Sequence, residues 1–192
     1  MSTLSSPVNR SGYSLAQKTL HWLMALCICL DLVVARKFGG DMELWDRLES
    51  RGDHASLNLI VLGLFILRLY FRFKQGSPAP LAGPAWQVRL AQGTHMAIYF
   101  FLAALFATGL ATAMHATSAV VVFGEWSLSL GNLDEGLFLS IRQLHEFSTQ
   151  AILVLITLHV VGALYHQIVL RDGVMSRMLK SSAKEAKDPV LS

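Results

Sequence analysis

The sequence predicts an all-α integral membrane protein, a bundle of four spanning helices with both termini cytoplasmic. Three observations carry that expectation. Of 192 residues, 53% are hydrophobic and only 15% charged, where an average soluble domain carries about 25% charge. The apolar residues fall in four long blocks, each able to supply the roughly 20 helical residues that cross a bilayer. Breakers separate the blocks, most plainly residues 76–84, GSPAPLAGP, which cannot continue a helix. The same composition excludes a disordered chain, a collagen-like repeat and a disulfide-stapled secreted module.

The first helix is expected over about 14–36. Ser14 and Gln17 have the spacing of a capping box at its start. Its apolar core runs into Arg36 and Lys37 with no small-residue cleavage pattern, so it reads as a retained helix rather than a signal peptide. Cys27 and Cys29 would point roughly opposite ways on a helix, which implies no disulfide. Asp31 is the only mid-membrane acid; a snorkelling or water-exposed position is expected over a proton relay. The second helix is expected over 53–73, the third over 85–115 and the fourth over 135–170. Residues 118–130 are apolar but too short and interrupted to span, so they are expected to lie along an interface. Residues 180–192 form a cytoplasmic tail, and a single four-helix domain accounts for the whole chain.

Charge sets the orientation. Arg10, Lys18, Arg68, Arg72, Lys74, Arg89, Arg171, Arg177, Lys180, Lys184 and Lys187 share one side with three acids, Asp172, Glu185 and Asp188. The opposite side has Arg36, Lys37, Arg47, Arg51 and Arg142 against nine acids: Asp41, Glu43, Asp46, Glu49, Asp53, Glu125, Asp134, Glu135 and Glu146. The positive-inside rule puts the first side, with both termini, in the cytoplasm. The net charge of +3 then reflects a basic inner rim suited to anionic lipid headgroups, and nucleic acid need not be invoked. Trp22, Trp45, Trp86 and Trp126 lie near the interfaces, where tryptophan belongs.

Histidines are the informative residues, because ionisable groups inside a membrane are costly and functional by default. His145 and His159 are 14 residues apart on the fourth helix. Helical pitch brings both rings to one side, ~21 Å apart along the axis. With the termini inside, His21 and His159 share the inner half, while His54 and His145 share the outer lip. Two bis-histidine sites stacked across one membrane are the pattern of a transmembrane dihaem electron carrier. Gly162 and Ala163 follow His159 and leave room for a flat porphyrin. No Cys-x-x-Cys-His occurs, which points to noncovalent b-type haem. Zinc or iron transport is the rival chemistry. It would recruit carboxylates among the histidines, or histidines within one turn of each other, and no two histidines here sit three or four apart. A plain four-span protein with incidental histidines comes third.

The motifs carry a resemblance as well. Tyr13-Ser14 precedes His21-Trp22, and His54 is followed by Leu67-Arg68 and Arg72. His95 precedes Ile98-Tyr99. His145-Glu146 is followed by Leu158-His159, His166, Arg171-Asp172-Gly173 and Arg177-Met178. From about Tyr13 to Leu179 the chain resembles the bacterial cytochrome b561 family, small four-helix dihaem proteins of the inner membrane. The resemblance implies two haems b with His21, His54, His145 and His159 as axial ligands, and electron exchange with the membrane quinone pool. Phe106 is a departure, since family members often carry a proline before the position of Gly109, and a straighter third helix is expected.

Outside the four ligands, His95 and His166 are read two ways. They line a quinone or proton-exchange pocket beside the inner haem, or they bond propionates and sit at the wet interface. His115 is expected to be interfacial. Lys18, Arg89, Arg51 and Arg142 are candidates to pair with propionates, against a plain topological role. Electrons are expected to run from outside inward. Superoxide is one candidate outer donor, attracted by Arg36, Lys37, Arg51 and Arg142. The alternative is an electron wire docking a dehydrogenase through the acidic 41–53 connection. The lipid-facing surface permits a homodimer.

Overall fold

The computed structural model describes residues 12–36, 43–79 and 83–179. Arg10, Lys37, Asp41, Lys180, Lys184, Glu185, Lys187 and Asp188, with the proposed tail, lie outside the described residues. Four helices are long and apolar enough to cross a membrane: α1 (Leu15–Arg36), α2 (Leu44–Gln75), α3 (Ala85–Met114) and α4 (Glu135–Tyr165), the last continued by a π-helical turn, His166–Leu170. A short helix α5 (Ser176–Leu179) follows. Large apolar side chains such as Leu26, Ile66, Phe100 and Val154 face outward. In water that would be a severe hydrophobic liability, whereas in lipid it costs nothing.

Local chemistry explains the helix ends. Ser14 and Gln17 form the reciprocal capping box: the Ser14 N–H donates to Gln17 Oε1 (3.1 Å) and the Gln17 N–H to Ser14 Oγ (3.2 Å). Gln17 also reaches across to the end of α2, donating from Nε2 to the Gly76 carbonyl at 2.9 Å. That carbonyl belongs to the glycine that ends α2 at φ 71°, where its lack of Cβ removes the steric cost. Asp134 caps α4 by accepting the Leu137 N–H at 3.1 Å. α3 runs unbroken through Phe106, whose ring packs on Phe65 with centres 5.5 Å apart.

One expectation needs correction: α2 starts at Leu44, not Asp53. Gly52 is buried within the helix, and a Cβ there would collide with the Val121 carbonyl. The glycine serves close packing, and Leu44 to Arg51 is otherwise built of residues that tolerate a helix.

The packing partner comes from the stretch between α3 and α4. The 118–130 stretch contains an antiparallel hairpin, β1 (Val120–Val122) paired with β2 (Trp126–Leu128). Its turn takes Phe123 and Gly124 through positive φ (54° and 71°). That conformation costs a non-glycine roughly 1–2 kcal/mol. Ser56 on α2 offsets part of it by accepting the Phe123 N–H at 2.8 Å while donating to the Gly52 carbonyl. The fourth span reaches Leu170 as expected, with its last turn, His166–Leu170, in π rather than α geometry.

The helices pair chiefly as α1 with α2 and α3 with α4. Met24, Val61, Phe65, Leu102 and Ile152 from all four form the buried centre, with Cys27 partly buried against it. Both cysteines are free. The bundle therefore has a terminal end, where α1 begins and α4 finishes, and a hairpin end. Histidines occupy both, with the apolar centre between them.

Candidate cofactor sites

At the hairpin end, His54 of α2 faces His145 of α4, ring centres 6.5 Å apart and planes at 88°. At the terminal end, His21 of α1 faces His159 of α4, 6.1 Å apart and at 82°. A metal held by two imidazole nitrogens at about 2 Å each, with each ring centre roughly 1 Å behind its nitrogen, separates ring centres by about 6 Å. Both pairs have that spacing. His95 of α3 lies only 5.1 Å from His159, too short for a metal between them, so it stands beside the terminal-end pair rather than across from a ligand. Among the described residues no group of three or more His, Cys, Asp or Glu is gathered to hold a metal ion.

The hairpin-end rings have assigned orientations. The Thr108 hydroxyl donates to the Ala104 carbonyl at 2.7 Å, so its oxygen accepts the His145 Nδ1–H at 3.0 Å. His54 Nδ1 lies 2.7 Å from Asp31 Oδ1. In both rings Nδ1 is engaged, and Nε2 is the nitrogen able to meet a metal. Gly109 lets His145 lie close against α3, since a Cβ there would stand 3.0 Å from the ring. Asn58 adds a third neighbour, donating to the His54 carbonyl at 2.9 Å with its amide beside the ring. At the terminal end, neither His21 nor His159 has a ring hydrogen bond among the described residues. His95 donates from Nδ1 to the Ala91 carbonyl at 2.7 Å.

Cations flank three of the four rings at one spacing. Lys18, Arg51 and Arg142 each precede a paired histidine by three residues, one helical turn nearer the adjacent end of the bundle. Lys18 is buried. Arg51 lies close enough to Arg142 and Arg47 to feel their charge, and Arg142 also pairs with Glu146 at 3.0 Å. Arg89 is exposed, away from this pattern. Gly162 borders open space, since a Cβ there would meet nothing within 4 Å. Arg68 donates to the Gln17 carbonyl at 3.3 Å, one turn from His21, and Arg72 stacks 5.9 Å from the Tyr99 ring centre.

One residue is not where the sequence suggests. Asp31 neither snorkels nor faces water; its side chain is 15% exposed and turned onto His54. His166 starts the π turn and gives its Nδ1–H to Asp172 at 2.5 Å, and no contact with His95 is found among the described residues. Outside the spans, partial burial works to raise the Asp172 carboxyl, but bonds from His166 and the Val174 N–H outweigh it and hold the group below its ordinary value. His115 ties the end of α3 to the following loop through the Gly131 carbonyl at 2.7 Å. Sequence reading misses Thr108, Gly109 and Asn58. Only Asn58, four residues after His54, carries a local signal.

These residues fit haem: two bis-imidazole spacings, with a cation one helical turn from three of the four rings. Comparison with known proteins agrees with that chemistry. The chain matches the prokaryotic cytochrome b561 family over residues 12–181. It is 28% identical over 178 residues to a cytochrome b562 from Cereibacter sphaeroides, covering 88% of this chain and 96% of that one. It is 24% identical over 180 residues to a probable superoxide oxidase CybB from Yersinia pestis, covering 87% and 95%. Against a cytochrome b561 homolog of Escherichia coli the identity is 23% over 172 residues, covering 87% and 96%. The chain belongs to the prokaryotic cytochrome b561 family, multi-pass bacterial membrane cytochromes b with haem b as the family's cofactor.

Proposed function

We propose that this chain is an inner-membrane dihaem cytochrome that passes single electrons from an outer-side donor to the quinone pool, with both termini cytoplasmic. The observation that carries the reading is the pair of facing imidazoles at two depths, each at the separation a bridging metal requires. His54 and His145 would hold the outer haem, His21 and His159 the inner one. Bound there, haem b would supply a one-electron couple.

The protein's own groups do the rest. Arg47, Arg51 and Arg142 gather positive charge at the outer lip, which draws in an anion. Superoxide is such an anion and a one-electron donor, released as dioxygen once it has given its electron. The likeness to a probable superoxide oxidase adds to that choice of donor. At the inner end, His95, Arg68 and Arg72 line the side on which a quinone must collect two electrons and two protons to become a quinol. His166 and Asp172, paired at that lip, can hand protons inward from water. A second reading rests on Glu43, Asp46 and Glu49, which are exposed at the start of α2 and three residues apart, hence on one helical face. That acidic face could dock a dehydrogenase, with the chain as its wire.

Haem content and spectra of four alanine variants test the ligation. His21→Ala and His159→Ala should each lose the same haem, and His54→Ala and His145→Ala the other. One haem per wild-type chain, or losses that pair differently, overturns it. Stopped-flow mixing with superoxide separates the two donors: fast reduction that slows with salt supports the anion funnel, while slow, salt-insensitive reduction supports the wire.

A further inference from the structure

We infer that Asp31 is a positioning residue for His54 and makes the hairpin-end haem the stronger reductant of the two. The inference rests on the dihaem reading above. Asp31 is the one acid in the middle of an apolar block, away from the block ends, and its Oδ1 is buried without a well-aligned hydrogen bond. His54 Nδ1, 2.7 Å away, is the group at hand to satisfy it. A carboxylate facing the far nitrogen of a metal-binding imidazole fixes ring and tautomer and raises the ring's basicity, which favours the oxidised metal. Asn58, on the next turn of α2, holds the His54 carbonyl and flanks the ring, so Asp31 acts on a ring already confined.

The partner ring lacks this. His145 gives its Nδ1–H to a neutral hydroxyl, that of Thr108. At the terminal end no carboxylate faces a paired ring among the described residues; Arg68 is bonded one turn from His21. Guanidinia stand one turn from the rings at both ends, Arg51 and Arg142 at one and Arg68 at the other, so the carboxylate on His54 is the difference that orders the two potentials. Electrons entering at the hairpin end then run downhill to the terminal end, which opposes the back-pull of an inside-negative membrane potential.

Redox titration of the haem-loaded protein in lipid nanodiscs tests this with Asp31→Asn and Asp31→Glu. Asp31→Asn should shift one midpoint upward by at least a tenfold change in the reduction equilibrium, about 59 mV for a one-electron couple. The other midpoint should stay put, and Asp31→Glu should fall between wild type and Asp31→Asn. Unchanged midpoints in Asp31→Asn, or equal shifts of both, overturn the inference while leaving the dihaem reading intact. If Asp31→Asn sheds one haem, Asp31→Glu must regain it at a low potential, and failure to do so also overturns the role. A wild-type protein binding a single haem defeats the underlying reading instead.

Discussion

The two ends of this bundle solve one problem differently. At the hairpin end, each paired imidazole has a side-chain partner on its outer nitrogen: Asp31 for His54 and Thr108 for His145. At the terminal end, His21 and His159 have no such partner among the described residues, and a third imidazole, His95, crowds in 5.1 Å from His159. The first pair is held in place by the fold. The second has latitude to respond to whatever approaches from the lip, as the proposed exchange with a mobile quinone would require.

The sharpest way to break that contrast is at Gly109. Its Cβ would stand 3.0 Å from His145, so Gly109→Leu should expel the ring and remove one haem, halving haem per polypeptide. Haem-to-protein ratios check this. A smaller effect is expected of Thr108→Val, which keeps the volume but leaves the His145 N–H buried and unanswered. It should cost about 1–3 kcal/mol, read as a lower thermal midpoint, with both haems retained. The smallest effect concerns Asp172. Its carboxyl is held below the ordinary value of 3.8, so its contribution is fully present above that value. It is lost as pH falls through the lowered one. Asp172→Asn should therefore loosen the 166–176 turn at neutral pH and make no difference in strong acid. Limited proteolysis at the C-terminal side across pH reads this out.

How much of this is legible in the sequence depends on what kind of geometry is needed. Depth in a membrane follows from helical rise alone, which is why the closeness of His21 to His159 and of His54 to His145 can be read without a structure. The Ser14–Gln17 cap is local and equally readable. Asp31 is different. Knowing that it meets His54 requires the rotation of α1 about its own axis relative to α2, which no spacing within one helix supplies. The close approach at Gly52 is unreadable for a related reason: the hairpin backbone that packs on it comes from a distant stretch of chain. The hairpin itself is two strands of three residues, too short for alternation to register. His166 lies seven residues after His159, but a π turn changes its direction.

The pairing of helices has a consequence for assembly. α1 packs with α2 and α3 with α4, yet each proposed iron would be clasped by one helix from either couple: α1 and α4 at one end, α2 and α4 at the other. Pigment insertion is then a fastening step, riveting two half-bundles that otherwise share an apolar seam and the grip of one β-turn on Gly52 and Ser56. Haem supply in the cell would thereby set how much of the newly made chain survives quality control, because a ligand bound only by the closed form raises that form's share by mass action.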